Sequence, residues 1–342
     1  MDDSTYLSST QHRYFTFTPK ALATLRESTS TLSHATPSTS PPLTASEELT
    51  LLTYYTTVLS SICTHFQTSS TVRATALTFL ARLYLRISPS TVHPKTLLLP
   101  LLYLSLKSEL GGQSTSWFIR TAAELKLNTT KEELLAPEIM VAMNLRWSFL
   151  VRHPWRGLEG VKAELLGLLA GTYKGPRHNA PAALQRDRAA VEKACAIART
   201  TLTNKALFGD AQFLYTPPQV MLAALRQADR EVAEFWVCMK FTDPVRGKLL
   251  QTIRECEEGT LTEGERKGLL RRPVMEVTQE LRMEAKRIDK KLFFWKEGKV
   301  EKKREGEGDG GSAEEEERRA KKRKVEEERR QEDAAVFGGK LG

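Results

Sequence analysis

The chain has 342 residues, 40% of them hydrophobic, which is enough to bury the cores of two domains of ordinary size with tails to spare. Its four cysteines, Cys63, Cys195, Cys238 and Cys256, form no C-x-x-C and stand at no zinc spacing from a histidine, so disulfide frameworks and metal knuckles are excluded as its organising chemistry. The formal net charge of +9 is not concentrated in a tract, because residues 301–342 carry 12 basic and 13 acidic side chains and the excess is spread over the rest; scattered arginines such as Arg82 and Arg86, read as outward helix positions, are a solvated surface and not a nucleic-acid face.

The N-terminal MDDSTYLSSTQHRYF begins acidic without an apolar run, and no segment approaches 18 uninterrupted apolar residues, so the chain is expected to be soluble and intracellular, its thiols buried in a reducing compartment. Thr18-Pro19 sets a capping side chain before a proline at the first helical position and opens a helix over about 19–27. Residues 28–46 hold 11 Ser or Thr and three Pro and form a flexible connector. Thr44 with Glu47 has capping-box spacing ahead of the apolar helix Leu49–Phe66. In TVRATALTFLARLYL, Val72, Ala76, Phe79, Leu80, Leu83 and Tyr84 fall on one helical face. The next helix, KTLLLPLLYLSLK from Pro94, is apolar almost all round, the pattern of a helix surrounded by others; Pro100 predicts a kink in it, and Lys107 ends it.

Thr129 with Glu132 is read as a second capping box, and Glu138 is then a lone acid on an otherwise apolar face. A charge at such a place is costly to desolvate unless a partner meets it, which singles out Lys107 and Glu138. RHPW, Arg152 to Trp155, is a hinge to a second helical array over about 155–252, broken by the loop GTYKGPRHNAPA, with Thr216-Pro217 and Asp243-Pro244 opening two of its helices. Residues 273–297 place Val274, Val277, Leu281, Ala285, Ile288, Leu292 and Trp295 on one face of an amphipathic helix that packs back on the arrays. From Gly306 alternating charge blocks without apolar content predict disorder. Within them Lys321, Lys322, Arg323 and Lys324 form a KKRKV run like a monopartite nuclear localisation signal.

No enzymatic constellation is present: there is no G-x-x-x-x-G-K-[ST], no G-x-G-x-x-G after a strand, no H-E-x-x-H and no G-x-S-x-G. His65 and His93 are structural residues, and no catalytic residue, cofactor or metal is assigned. Asn128-Thr129-Thr130 is a helix cap in a sequon's clothing, and the RLYL string at Arg82–Leu85 lies in a helix expected to be buried.

Two consecutive five-helix arrays, with Lys ending the third helix and Glu on the fifth, resemble the cyclin box and its repeat. STQHRYFTFT, ATALTFLARLYLRISPSTVHPKTLLLPLLYLSLKSE, LRWSFLVRHPWRGLEG and DAQFLYTPPQVMLAAL, in that order, resemble the cyclin H family, in its fungal type: the regulatory subunit of the CDK-activating and TFIIH-associated kinase. The resemblance implies an all-α fold: an N-terminal helix and connector at 1–46, cyclin boxes at 47–152 and 153–255, a C-terminal helix at 273–305 and a disordered tail at 306–342. It implies a non-catalytic kinase activator in the nucleus, whose partners are a cyclin-dependent kinase, a RING-finger-type assembly subunit and the TFIIH core, with no membrane and no direct nucleic-acid binding. The kinase-contacting roles fall on Lys107 and Glu138, which in cyclins bond main-chain groups around the kinase's C-helix, and on the aromatic run Tyr14, Phe15 and Phe17 of a terminal helix that extends that surface. Phe15 stands where the family typically has tryptophan. The second array offers no equivalent Lys/Glu pair, which makes the first the kinase-facing one, and the substrate-docking word of cell-cycle cyclins is replaced by EELTLLTYYTTVL. A TFIIB-like transcription scaffold is the alternative; it calls for an N-terminal zinc ribbon, and no cysteine precedes Cys63.

Overall fold

Capping chemistry sets most helix starts in the computed structural model, which describes residues 3–32, 43–111, 113–178, 183–258 and 278–296. Among these residues every regular element is helical. The N-terminal segment holds α1 (Asp3–Leu7), α2 (Thr10–Phe15) and α3 (Pro19–Leu32). Thr18 caps α3 by accepting from the Ala21 amide at 3.2 Å. The helix runs five residues past its expected end, because the Thr29 hydroxyl spans to the Leu85 carbonyl at 2.9 Å, a tertiary contact that overrides the low propensity of Ser and Thr.

The first repeat comprises α4 (Ala45–His65), α5 (Ser70–Leu83), α6 (Pro94–Leu110), α7 (Thr115–Glu124), α8 (Lys131–Leu135) and α9 (Glu138–Asn144). The Thr44/Glu47 box is formed as expected, whereas the second box lies one residue later, between Thr130 and Glu133. The expected single fifth helix is split into α8 and α9 at Pro137, whose missing N–H removes one backbone bond. Helix α6 is continuous through Pro100 and ends at Gly111 in the left-handed conformation that glycine adopts without cost. It packs against α4, α5, α8 and α9, as its apolar circumference demands. His93 is structural: its ring accepts from the Lys95 amide at the start of α6 and its other nitrogen meets Asp289 at 2.8 Å.

The second repeat comprises α10 (Trp155–Leu169), α11 (Arg188–Thr203), a short 3-10 turn at Lys205–Phe208, α12 (Ala211–Leu214), α13 (Pro217–Ala228), α14 (Arg230–Lys240) and α15 (Val245–Glu258). Here α13 takes the central place of α6, packing against α10, α11, α14 and α15. Asp243 does not open α15 as a cap before Pro244; the helix begins at Val245 and the Asp243 carboxylate takes the Arg246 side chain at 2.5 Å. One apolar core runs through both repeats. The thiols of Cys63 and Cys256 lie inside it and burial pushes each up to about 12.

Arg82 is not on an outward face. It is 2% exposed, its guanidinium 4.5 Å from the Phe15 ring centre and donating to the Ser148 carbonyl, and burial lowers its pKa to about 10. Phe15, Leu22, Leu85 and Phe213 form a second, smaller cluster that clamps the N-terminal segment to both repeats. At the other side α16 (Gln279–Lys296) packs on α4 through Ala285, Ile288 and Leu292, with Tyr55 donating to Asp289 at 2.8 Å. Val274, Val277, the tail and Lys321 to Lys324 lie outside the described residues.

Candidate functional site

The two charges singled out in the sequence meet. Lys107 stands in the last turn of α6, where a cation suits the helix dipole, and Glu138 is the first residue of α9, where an anion does. The Lys107 ammonium donates to the Glu138 carboxylate and lies 5.0 Å from the Tyr103 ring centre. Tyr103 is itself fixed, its hydroxyl donating to the Gln113 carbonyl at 3.1 Å. Pro100, Leu104, Leu134 and Val141 form the apolar wall behind the pair. The kink-prone proline therefore lies buried under the charges instead of breaking the helix. Lys107 and Glu138 remain 30% and 35% exposed, so both keep hydrogen-bonding capacity toward the outside.

Beside the pair lies a feature that sequence reading missed. Ile139 and Met143, one turn apart on α9, continue into Trp147 and Leu150, and all four are 60–62% exposed. Their neighbours Val141, Ala142 and Leu145 supply the buried face of the same short helix. Four large apolar side chains in sequence on one side of a helix and its exit mark an interaction surface. Trp147 is held edge-on to Phe149, 6.1 Å between centres, and Phe149 packs in turn on Phe79 of the core. Glu138 thus forms the polar rim of an apolar strip.

Of the three N-terminal aromatics assigned to the same surface, Phe15 is misplaced by that reading. It is 2% exposed and covers Arg82, so its side chain has no face left for a partner. Phe17 is half-buried against Phe213, and its amide donates to the Phe213 carbonyl at 2.7 Å. Tyr14 is half-exposed, with the guanidinium of Arg146 4.9 Å from its ring centre.

The second repeat has no Lys/Glu pair of this kind among the described residues, but it has an Arg/Glu pair where its third and fifth helices meet. Arg226, in the last turn of α13, pairs with Glu257 of α15 and, at 3.2 Å, with Glu234 of α14. This joins the third helix to the fifth as Lys107 and Glu138 do in the first repeat. Arg226 and Glu257 are only 9% and 13% exposed. Burial alone would lower the Arg226 guanidinium, yet the two carboxylates carry it above its ordinary value. The second pair is sealed inside its bundle while the first opens to solvent.

Among the described residues no group of three or more His, Cys, Asp or Glu side chains is placed to hold a metal ion. No described helix is long and apolar enough to cross a membrane.

Residues 153–258 match the family profile of the Cyclin C-terminal domain. The chain is 28% identical over 204 residues to cyclin CCL1 of Saccharomyces cerevisiae, covering 58% of this chain and 46% of that one. It is likewise 28% identical over 215 residues to cyclin mcs2 of Schizosaccharomyces pombe, covering 62% and 59%. The matches thus span about half the length of these relatives. Among solved structures, a chain of the CAK complex of Chaetomium thermophilum bound to ATP-γ-S superposes with a TM-score of 0.68 at 28% identity, covering 90% of this chain and 99% of that one. A chain of the yeast TFIIK complex (Kin28/Ccl1/Tfb3) gives 0.60 at 27% identity, covering 73% and 98%.

Proposed function

We propose that this chain, a member of the cyclin H family, is the regulatory subunit that binds and activates a cyclin-dependent kinase of the CDK-activating and TFIIH-associated type. It acts in phosphorylation of the RNA polymerase II C-terminal domain at transcription initiation, and in activation of cell-cycle kinases. The observation that carries the reading is the Lys107/Glu138 pair, held at the rim of the exposed strip Ile139, Met143, Trp147 and Leu150. The strip supplies apolar area to bury, and the pair supplies one cation and one carboxylate, already oriented, to main-chain groups of the kinase's regulatory helix.

The chain contributes no chemistry of its own. It shifts the kinase by binding the active arrangement better than the inactive one. Moving such an equilibrium from about 1:99 to 99:1 takes roughly 5.5 kcal/mol of differential binding. A strip of four large apolar side chains and a desolvated charge pair are of that order. The reading extends to a RING-finger-type assembly subunit, since the yeast neighbour's complex contains Tfb3 beside Kin28, to the TFIIH core, and to a nuclear location.

The relatives named above are cyclins, which favours this reading over a TFIIB-like scaffold. Affinity purification of the tagged full chain from nuclear extract, with the bound kinase identified by mass spectrometry and its activity measured with and without added chain, tests it. A co-purifying kinase stimulated by the chain is expected. Recovery of polymerase and promoter DNA without a kinase would overturn it.

A further inference from the structure

Where the first repeat ends, three arginines close on one cleft. Arg13 comes from α2, Arg86 from just beyond α5, and Arg146 from the turn after α9; with Tyr14, Phe17 and Leu85 they line a volume of about 220 Å³. Several other arginines meet acids, Arg26 gripping Asp210, Arg186 Asp229, and Arg226 Glu257 and Glu234, while Arg82 and Arg73 donate to carbonyls. Among the described residues no carboxylate meets Arg13, Arg86 or Arg146. Two of the guanidiniums instead stand over one ring, Arg146 at 4.9 Å and Arg13 at 5.4 Å from the Tyr14 centre. Partial burial and the charge of Arg146 together hold Arg86 below its ordinary pKa, a sign that the like charges feel one another.

The backbone contributes to the arrangement. Arg146 and Trp147 both adopt left-handed φ, 52° and 56°, a conformation that costs a non-glycine residue about 1 kcal/mol or more. The turn is held by the Trp147 amide donating to the Ala142 carbonyl at 2.9 Å. It turns Arg146 back toward Tyr14 and leaves Trp147 on the exposed strip. Three cations drawn together at a cost in repulsion and backbone strain, without an acid, are a site for an anion supplied from outside.

We propose that this cleft recognises a phosphorylated serine or threonine on a protein partner. A phosphomonoester dianion offers three acceptor oxygens to the planar forks of several guanidiniums at once, which a single carboxylate does not. Phe17, Leu25 and Leu85 make the other wall apolar, and such a wall is of use to the residues flanking a phosphorylated side chain but not to a free ion. Single-stranded nucleic acid is less well served: it needs an open aromatic face for its bases and a basic track for successive phosphates, and here the Tyr14 ring is occupied by guanidiniums in one compact cleft. The inference is independent of kinase activation, since it concerns a neighbouring cleft and stands for any phosphoprotein bound there.

The test is binding of the full chain to fluorescein-labelled peptide pools with a fixed phosphoserine or phosphothreonine, read by anisotropy. The expected result is at least about tenfold preference over the same pools unphosphorylated or carrying glutamate at that position, with Arg86→Ala and Arg146→Ala each losing about tenfold or more, the scale of one charge-assisted contact. Arg146→Lys should lose much of the preference too, because lysine keeps the charge without the fork. Arg188→Ala, removing an exposed arginine already paired with Glu192, should change nothing. Circular dichroism melts establish that each variant is folded. Equal binding of phosphorylated and unphosphorylated pools, no binding of either, or a preference untouched by Arg86→Ala and Arg146→Ala together would overturn the proposal. So would tight binding of inorganic phosphate, of oligo-dT or of phosphoinositide vesicles in place of the peptides.

Discussion

Alanine at the two charge pairs, each between the third and fifth helix of its repeat, should give opposite signatures. Lys107 and Glu138 are about one-third exposed, and an ion pair in that setting contributes about 0–1 kcal/mol to the free protein. Lys107→Ala or Glu138→Ala should therefore leave the melting temperature nearly unchanged. In the proposed complex, where the kinase covers the rim, the remaining member is a desolvated charge without its partner, at a cost of about 2–5 kcal/mol, or roughly 30-fold and upward in affinity. Arg226 is the reverse case. Its side chain is largely buried beside Glu257 and Glu234, so Arg226→Ala leaves the Glu257 carboxylate unpaired, Glu234 keeping Arg230, and should cost about 3–5 kcal/mol of folding stability. In a protein of this size that lowers the melting point by roughly 6 °C or more. Thermal melts by circular dichroism and calorimetric titration with the purified kinase subunit, at a temperature where every variant is folded, separate the two. The reasoning fails if Lys107→Ala melts as low as Arg226→Ala, or if Arg226→Ala weakens kinase binding as much as Lys107→Ala does.

Phe15→Ala should cost about 3–5 kcal/mol, since it opens a cavity and uncovers the buried Arg82 guanidinium; a loss under about 1 kcal/mol in urea unfolding would show that α2 frays without consequence. Glu47 is held down to about 2: burial alone would raise it, but Lys291, the Thr44 amide and Arg287 prevail. A lowered carboxylate stabilises the fold above its unfolded pKa, about 4.3, and the contribution disappears as pH falls toward 2; Glu47→Gln should therefore cost about 1–2 kcal/mol at pH 7, discounted for the exposed Lys291 and Arg287, and nothing near pH 2, and an equal cost at both would refute the linkage. Changing Lys321, Lys322, Arg323 and Lys324 to alanine should shift a fluorescently tagged chain from nucleus to cytoplasm while leaving kinase activation in vitro unaltered; a variant that stays nuclear without its kinase would show the run to be an ordinary charge block.

Helices were legible because their signals are local. The Thr44/Glu47 box, Thr18 before Pro19 and the apolar circumference of α6 each act within a turn or two of chain, and Lys107 and Glu138 stood out as charges on apolar helices. What was not legible depends on contacts distant in sequence. Arg82 occupies an outward position on α5 taken alone, and it is Phe15, 67 residues earlier, and Ser148, 66 residues later, that take its guanidinium. Arg226 sits in an ordinary amphipathic helix and Glu257 in a string of acids, so nothing in either pattern announces that they meet. Ile139 and Met143 belong to a seven-residue helix apolar on both sides, and periodicity cannot say which side another element fails to cover.

The covered arginine and the uncovered strip are connected. The N-terminal segment crosses the junction of the repeats: Thr10 and Ser148 share a hydrogen bond of 2.7 Å, Gln11 accepts from the Arg152 amide at 2.8 Å, Phe17 is tied to Phe213, and Arg26 holds Asp210 through two bonds of 2.7 and 2.8 Å. Arg73 adds bonds to the Thr203 carbonyl and the Asn204 side chain. The stretch from Ser148 to Arg152, which carries Leu150 at the end of the strip, is thus fixed at both ends before any partner arrives. A surface already ordered loses less conformational entropy on association, so more of its contact energy appears as affinity. The sealed Arg226 pair and the N-terminal clamp hold the second repeat and the junction still, and on the proposed function that rigidity is what would let the open Lys107 pair, individually worth little to the fold, act on a kinase.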